Sequence, residues 1–113
     1  MTQETKDELL RITNESLSNF EAVQTNNKNK MFLRSASTSI MYVFNQSYKK
    51  INEHIDEEIN DKIKNFISDT ESKRKVLWND NPTAGDYYNF LENLEAGLNG
   101  LSSSIALSYC SAQ

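Results

Sequence analysis

Residues 39–69 read SIMYVFNQSYKKINEHIDEEINDKIKNFISD, and the placement of their apolar side chains decides the fold. Ile40, Phe44, Tyr48, Ile51, Ile55, Ile59, Ile63 and Phe66 follow one another at steps of 4, 4, 3, 4, 4, 4 and 3 residues. The mean step of about 3.7 lies just above the 3.6 residues of a helical turn, so these side chains line one face of a rod. A heptad repeat would wind left-handed, whereas this stripe is expected to run straight or drift slightly right-handed. Outward from the stripe, nothing in the first four-fifths of the chain must interrupt a helix. The first proline is Pro82 and the first glycine Gly85, and hairpin turns have no Asn-Gly or Asp-Gly before that point. The chain is therefore expected to be all-α.

One internal stop signal stands out. Ser68-Asp69-Thr70-Glu71 fits a capping box, which would end a helix near Ile67 and start another. Against this, Asp69–Lys73 and Glu71–Lys75 are ion-pair spacings that span the suspected break. The central helix is expected over 31–67 or, preferably, over 31–78 in one piece. A first helix is expected over 5–24, opening with the Thr5-Lys6-Asp7-Glu8 capping box and carrying Leu9, Leu10, Ile12, Leu17, Phe20 and Val23. The polar run from Thr25 to Lys30 then reads as a loop.

The third helix is expected over 82–110, with Asn81 as its cap and Pro82 in its first position. Tyr87, Leu91, Leu94, Leu98, Leu101 and Ile105 step by 4, 3, 4, 3 and 4, a 3.5 repeat that suggests a left-handed packing seam. Gly97 and Gly100 sit beside it with Ser104 and Ser108. Two glycines inside a helix cost about 1 kcal/mol each relative to alanine, which close packing would offset. The alternative is a helix that ends near Leu98, with Gly100 as its cap. The whole chain, 1–113, reads as one domain: a helical hairpin or three-helix bundle with antiparallel packing around one long central helix.

Unequal lengths then suggest assembly. A central stripe longer than either partner helix would leave apolar surface for another chain, either a second copy or a protein partner. The last helix points the same way, since no charged residue follows Glu95 and no Lys or Arg follows Lys75. Tyr87, Leu91, Leu94, Leu98, Leu101 and Ile105, with Gly97 and Gly100, are the candidate self-association seam. Tyr42, Tyr88 and Phe90 lie off the main stripes, and Trp78 follows the basic cluster Lys73-Arg74-Lys75; these four are the candidate partner-binding residues.

Composition narrows the function. Twelve Lys and Arg against sixteen Asp and Glu give a net charge of −4 over 113 residues, unlike the basic footprint of a nucleic-acid binder. Cys110 is the sole cysteine, so no internal disulfide forms. No apolar run approaches the roughly 20 residues of a membrane span, and the charged start MTQETKDELLRI lacks a secretory pattern, which suggests a cytoplasmic protein.

Chemistry has few candidates. His54 shares a face with Glu57 and Glu58 in the most acidic patch, but a carboxylate-metal bundle needs ligands from several helices and more than one histidine. Cys110 has no neighbouring base in sequence, and nucleotide-binding or hydrolase motifs are missing. The expected function is non-enzymatic, with no cofactor: an acidic helical adaptor, inhibitor or chaperone-like factor, its negative charge suited to a basic target. The alternative is a self-assembling structural subunit, a secretion-system or virion component. A carboxylate-metal helical bundle around His54 is a remote third.

Overall fold

Most of the stripe of residues 40–66 is buried, but on two helices and the turn between them instead of one helix. The computed structural model describes residues 1–110, and these form α1 (Gln3–Ser18), α2 (Phe20–Thr25), α3 (Lys30–Lys49), α4 (Glu57–Asn79) and α5 (Ala84–Ala106), with a 3-10 turn at Asn52–His54 between α3 and α4. The all-α class stands. The single central helix over 31–67 or 31–78 does not, because the chain turns between Lys50 and Asp56.

Local chemistry explains that turn. Lys49 lies in the last turn of α3, and Glu57 and Glu58 lie in the first turn of α4. Each set of charges opposes the dipole of the helix end it occupies. Ile55 is extended at φ −97° and ψ 137°, which releases the chain from helical geometry just before Asp56. The reversal also buries more. A straight rod would leave part of its stripe in water, whereas the folded-back chain puts Ile59 and Ile63 into the same core as Ile40 and Phe44. Each such side chain contributes about 1.5–3 kcal/mol when fully buried.

The two halves are pinned by nested contacts. Phe44 meets Phe66 edge-on at 6.2 Å between ring centres, and the Tyr48 hydroxyl donates to Asn60 Oδ1. Nested pairs of this kind mean that α4 runs opposite to α3. By the same logic α5 runs opposite to α4, since Trp78 packs on Tyr87 at 5.0 Å while Phe66 lies under Gly97.

Several helix ends differ from the sequence reading. The cap of α1 is Thr2, whose hydroxyl accepts from the Thr5 N–H at 3.1 Å, so Thr5 lies within the first turn. The stretch expected as one helix over 5–24 divides at Asn19, whose side-chain amide donates to the carbonyls of Glu15 and Ser16. The Ser68–Glu71 box is not used. Instead α4 passes straight through, Thr70 faces inward, and Glu71 pairs with Arg74 at 2.8 Å. At α5 the cap is Thr83, not Asn81: the Thr83 hydroxyl accepts from the Asp86 N–H while the Asp86 carboxylate accepts from the Thr83 N–H. Pro82 precedes that cap, and Asn81 takes the left-handed conformation at φ 49°, which asparagine tolerates better than most residues.

The four long helices pack as a bundle of about 50 × 25 × 20 Å. At its centre is α5, packed against α1, α3 and α4. The start of α1 meets the end of α5, where Lys6 Nζ donates to the Ser108 carbonyl at 3.1 Å. Tyr87, Leu91, Leu94, Leu98, Leu101 and Ile105 are all buried there. This explains the charge-poor last helix: it does contact helices on several sides, but they belong to its own chain. It also weakens the premise that the central stripe outgrows its cover, because folding back at Lys50–Asp56 buries six of its eight side chains within one chain and leaves Ile51 and Phe66 half-buried.

Candidate interaction surface

The inner side of α5 is closed to other molecules. The seam residues named above, Tyr87, Leu91, Leu94, Leu98, Leu101 and Ile105, contact α1, α3 and α4 of the same chain, so none is exposed for self-association. Gly97 belongs to this side. An added Cβ there would collide with Cε1 of Phe66, so the glycine is what lets the ring lie against the α5 backbone. Gly100 faces the other way, with nothing within 4 Å of such a Cβ. The helix continues past it to Ala106, so Gly100 is not a cap.

The four aromatic candidates divide. Phe90 is in the core at 9% exposure. Trp78 lies between the core and Arg74, whose guanidinium carbon stands 5.4 Å from the ring centre, a cation–π contact. Tyr88 is half-buried, and its phenol is raised above the ordinary range by burial first, then by the neighbouring Glu92 carboxylate and the negative charge of Glu95. Only Tyr42 projects, at 64% exposure, and next to it Val43 is 57% exposed. The sequence reading missed Val43. Its signal was present, since residue 43, like residue 42, falls off the stripe that runs through Ile40, Phe44 and Tyr48.

These two side chains occupy the outer face of α3, where no residue from 35 to 48 is charged. Ser35, Thr38, Ser39 and Gln46 complete the exposed face. Beside Val43 a groove of about 300 Å³ runs between α1 and α3, lined by Ile12, Ser16, Asn19, Ser39 and Ile40 among others. Charge lies around this face and is mostly positive, although Glu15 of α1 also borders the groove. From Ala22 to Asn52 the chain carries Lys28, Lys30, Arg34, Lys49 and Lys50 and no acidic residue.

Much of the remaining surface is charged and mixed, although Val76 on α4 and Leu107 and Tyr109 after α5 are also exposed apolar side chains. On α1, Arg11 bridges Glu8 and Glu15, which holds the Glu8 carboxyl below its usual range. On α4, Glu58 meets Lys62 at 4.0 Å. Exposed pairs of this kind contribute roughly 0–1 kcal/mol and leave a well-hydrated surface.

The residues weighed for chemistry are dispersed. His54 is exposed on the 3-10 turn, beside an open groove of about 1030 Å³ shared with Thr5, Glu8 and Arg11. Cys110 is a half-buried free thiol beyond the end of α5. Among the described residues no three His, Cys, Asp or Glu side chains converge on a metal-sized site, and no helix is long and apolar enough to cross a membrane. No family model, curated protein or solved structure matches the chain.

Proposed function

We propose that the protein is a non-enzymatic interaction module, an adaptor, inhibitor or chaperone-like factor, that engages a protein partner through the outer face of α3. The observation that carries this reading is Tyr42 and Val43 standing exposed, side by side, on a charge-free stretch of a helix whose other apolar residues, apart from Met31 and the half-buried Phe32 in its first turn, are buried. A tyrosine offers a large rigid contact area with a hydroxyl at its tip, and such rings are over-represented among the residues that dominate binding. The surrounding Ser, Thr and Gln side chains cost less to desolvate than charges would. The local charge also specifies the partner. Although the whole chain is acidic, Lys28, Lys30, Arg34, Lys49 and Lys50 outnumber Glu15 around this face, so it favours an acidic surface over the basic target suggested by net charge alone.

Affinity capture from an extract of the source cells tests the reading, with the unmodified chain and Tyr42→Glu compared by mass spectrometry. Tyr42 is exposed on a helix, so the variant retains its fold, which circular dichroism checks. A protein held by the unmodified chain and lost with the variant supports the reading. An identical captured set and an unchanged state of self-association in the variant would reject it.

A further inference from the structure

We infer that the acidic partner of the α3 face is the outer face of α5 on a second copy of the same chain; this rests on the α3 reading above. The two faces point away from each other across the bundle, because α3 and α5 pack against one another through their inner sides. Their segments carry opposite charge, and on the α3 face the cations outnumber Glu15, which borders it from α1. The α3 segment has five cations and no acid between Ala22 and Asn52, whereas from Val76 onward the chain has Asp80, Asp86, Glu92 and Glu95 and no Lys or Arg.

They also match in height. Phe66 of α4 touches Phe44 of α3 and lies under Gly97 of α5, so Phe44 and Gly97 stand at one level along the bundle. Both α3 and α5 run opposite to α4 and are therefore parallel, so residues equally far from these two markers stay level. Val43 is level with Ala96, and Asn99 and Gly100 follow within about one turn. All three are exposed, and at Gly100 the helix has no side chain. Ten residues before Phe44 is Arg34, and eleven before Gly97 is Asp86; at 1.5 Å per residue both lie about 15–16 Å up the axis. Stacking one copy on the next without rotation thus sets the projecting Tyr42–Val43 pair on a low, small-residue surface and brings Arg34 towards Asp86.

The contact is heterologous, since different faces meet, and each added copy exposes a fresh face. Growth is therefore open-ended. Each junction is narrow, so affinity on the order of micromolar or weaker is expected. The charge component is also expected to fade as salt shortens the reach of the surface charges.

Sedimentation velocity across a concentration series, at low and high salt, tests this with four proteins: the unmodified chain, Tyr42→Glu, Ala96→Arg, and the double variant. Both positions are exposed on helices, and thermal melts confirm folding. The unmodified chain is expected to gain mass with concentration, less so at high salt. Tyr42→Glu places an acid against the acidic α5 face, and Ala96→Arg places a cation against the cationic α3 face. Each is expected to weaken association by about tenfold or more. In the double variant every junction pairs the two new charges, so association is expected to recover. A 13.0 kDa species at every concentration would overturn self-association, while Tyr42-dependent capture would leave the α3 reading standing. Association indifferent to Ala96→Arg, or unrecovered in the double variant, would overturn the α3-on-α5 geometry.

Discussion

Gly97 and Gly100 stand less than one turn apart on α5 and face opposite environments. The first faces inward, with the Phe66 ring against its backbone. The second faces outward into open space. Their contrast holds for the helix as a whole: one side is packed against α1, α3 and α4, the other is flat, small and uncharged after Glu95. A glycine in a helix costs about the same in either setting, so only the neighbours tell which one the fold requires. The inner side is explained by the fold, and the outer side is left available for contact.

The strongest test of the inner side is Leu98→Ala. Leu98 is fully buried between the two glycines, so truncation is expected to cost about 2–5 kcal/mol, the range for a core leucine that leaves a cavity. The midpoint of urea unfolding measures it. A loss under about 1 kcal/mol, the scale of a surface change, would mean that the inner side of α5 is not a packed core.

Next comes Gly97→Ala. The new methyl must displace the Phe66 ring, at a cost of about 1–3 kcal/mol for overpacking, against a helix-propensity gain of about 1 kcal/mol. The net expectation is destabilisation by up to about 2 kcal/mol. Phe66→Leu sharpens the result, because Gly97→Ala should cost less in that background, a coupling that a double-mutant cycle reads directly. Additive effects would show that the ring is not what the glycine accommodates. Gly100→Ala should do the reverse. With nothing near the new methyl, stability is expected to rise by about 0.5–1 kcal/mol. If both substitutions shift the midpoint in the same direction, the inner–outer contrast fails.

How much of this was legible in the sequence depends on which physical cue each feature used. The burial of Ile40, Phe44, Tyr48, Ile59 and Ile63 followed from spacing, because burial is set by which face a residue occupies. Where the helix stops is a separate matter. Ile51 and Ile55 keep the stripe's spacing through the turn, so periodicity did not register the reversal. The usable cue was electrostatic: Lys49-Lys50, then Asp56-Glu57-Glu58, is the charge order of a helix end followed by a helix start. At Ser68–Glu71 the opposite error threatened, because a capping box also fits mid-helix when Thr70 is needed inside. The interaction residues were half legible. Off-stripe position found Tyr42 but also Phe90, because α5 is enclosed on three sides and buries residues well away from its leucine seam. A helix packed on several sides has no single stripe, and only its neighbours show which aromatic remains in water.

Tyr88 lies on the border between the two sides of α5 and gives the mildest test of where that border runs. Its half-buried ring and the neighbouring Glu92 carboxylate both favour the neutral phenol, and Glu95 adds a second opposing charge. A phenol whose value is raised in the fold binds its proton more tightly there than in the unfolded chain, whose tyrosines titrate near 10. The contribution is therefore fully present below about pH 10 and is lost as pH rises through the raised folded value. Phenolate absorbance, taken as the difference between the unmodified chain and Tyr88→Phe, follows this residue apart from Tyr48, which burial and Asp61 also push upward. Glu92→Gln is expected to lower the ionisation of Tyr88 only part of the way, because burial is the larger cause and is unchanged. A full return to the ordinary range would place the ring in water and move Tyr88 to the outer side. No change at all would remove Glu92 from the account and leave the inner packing as the sole cause.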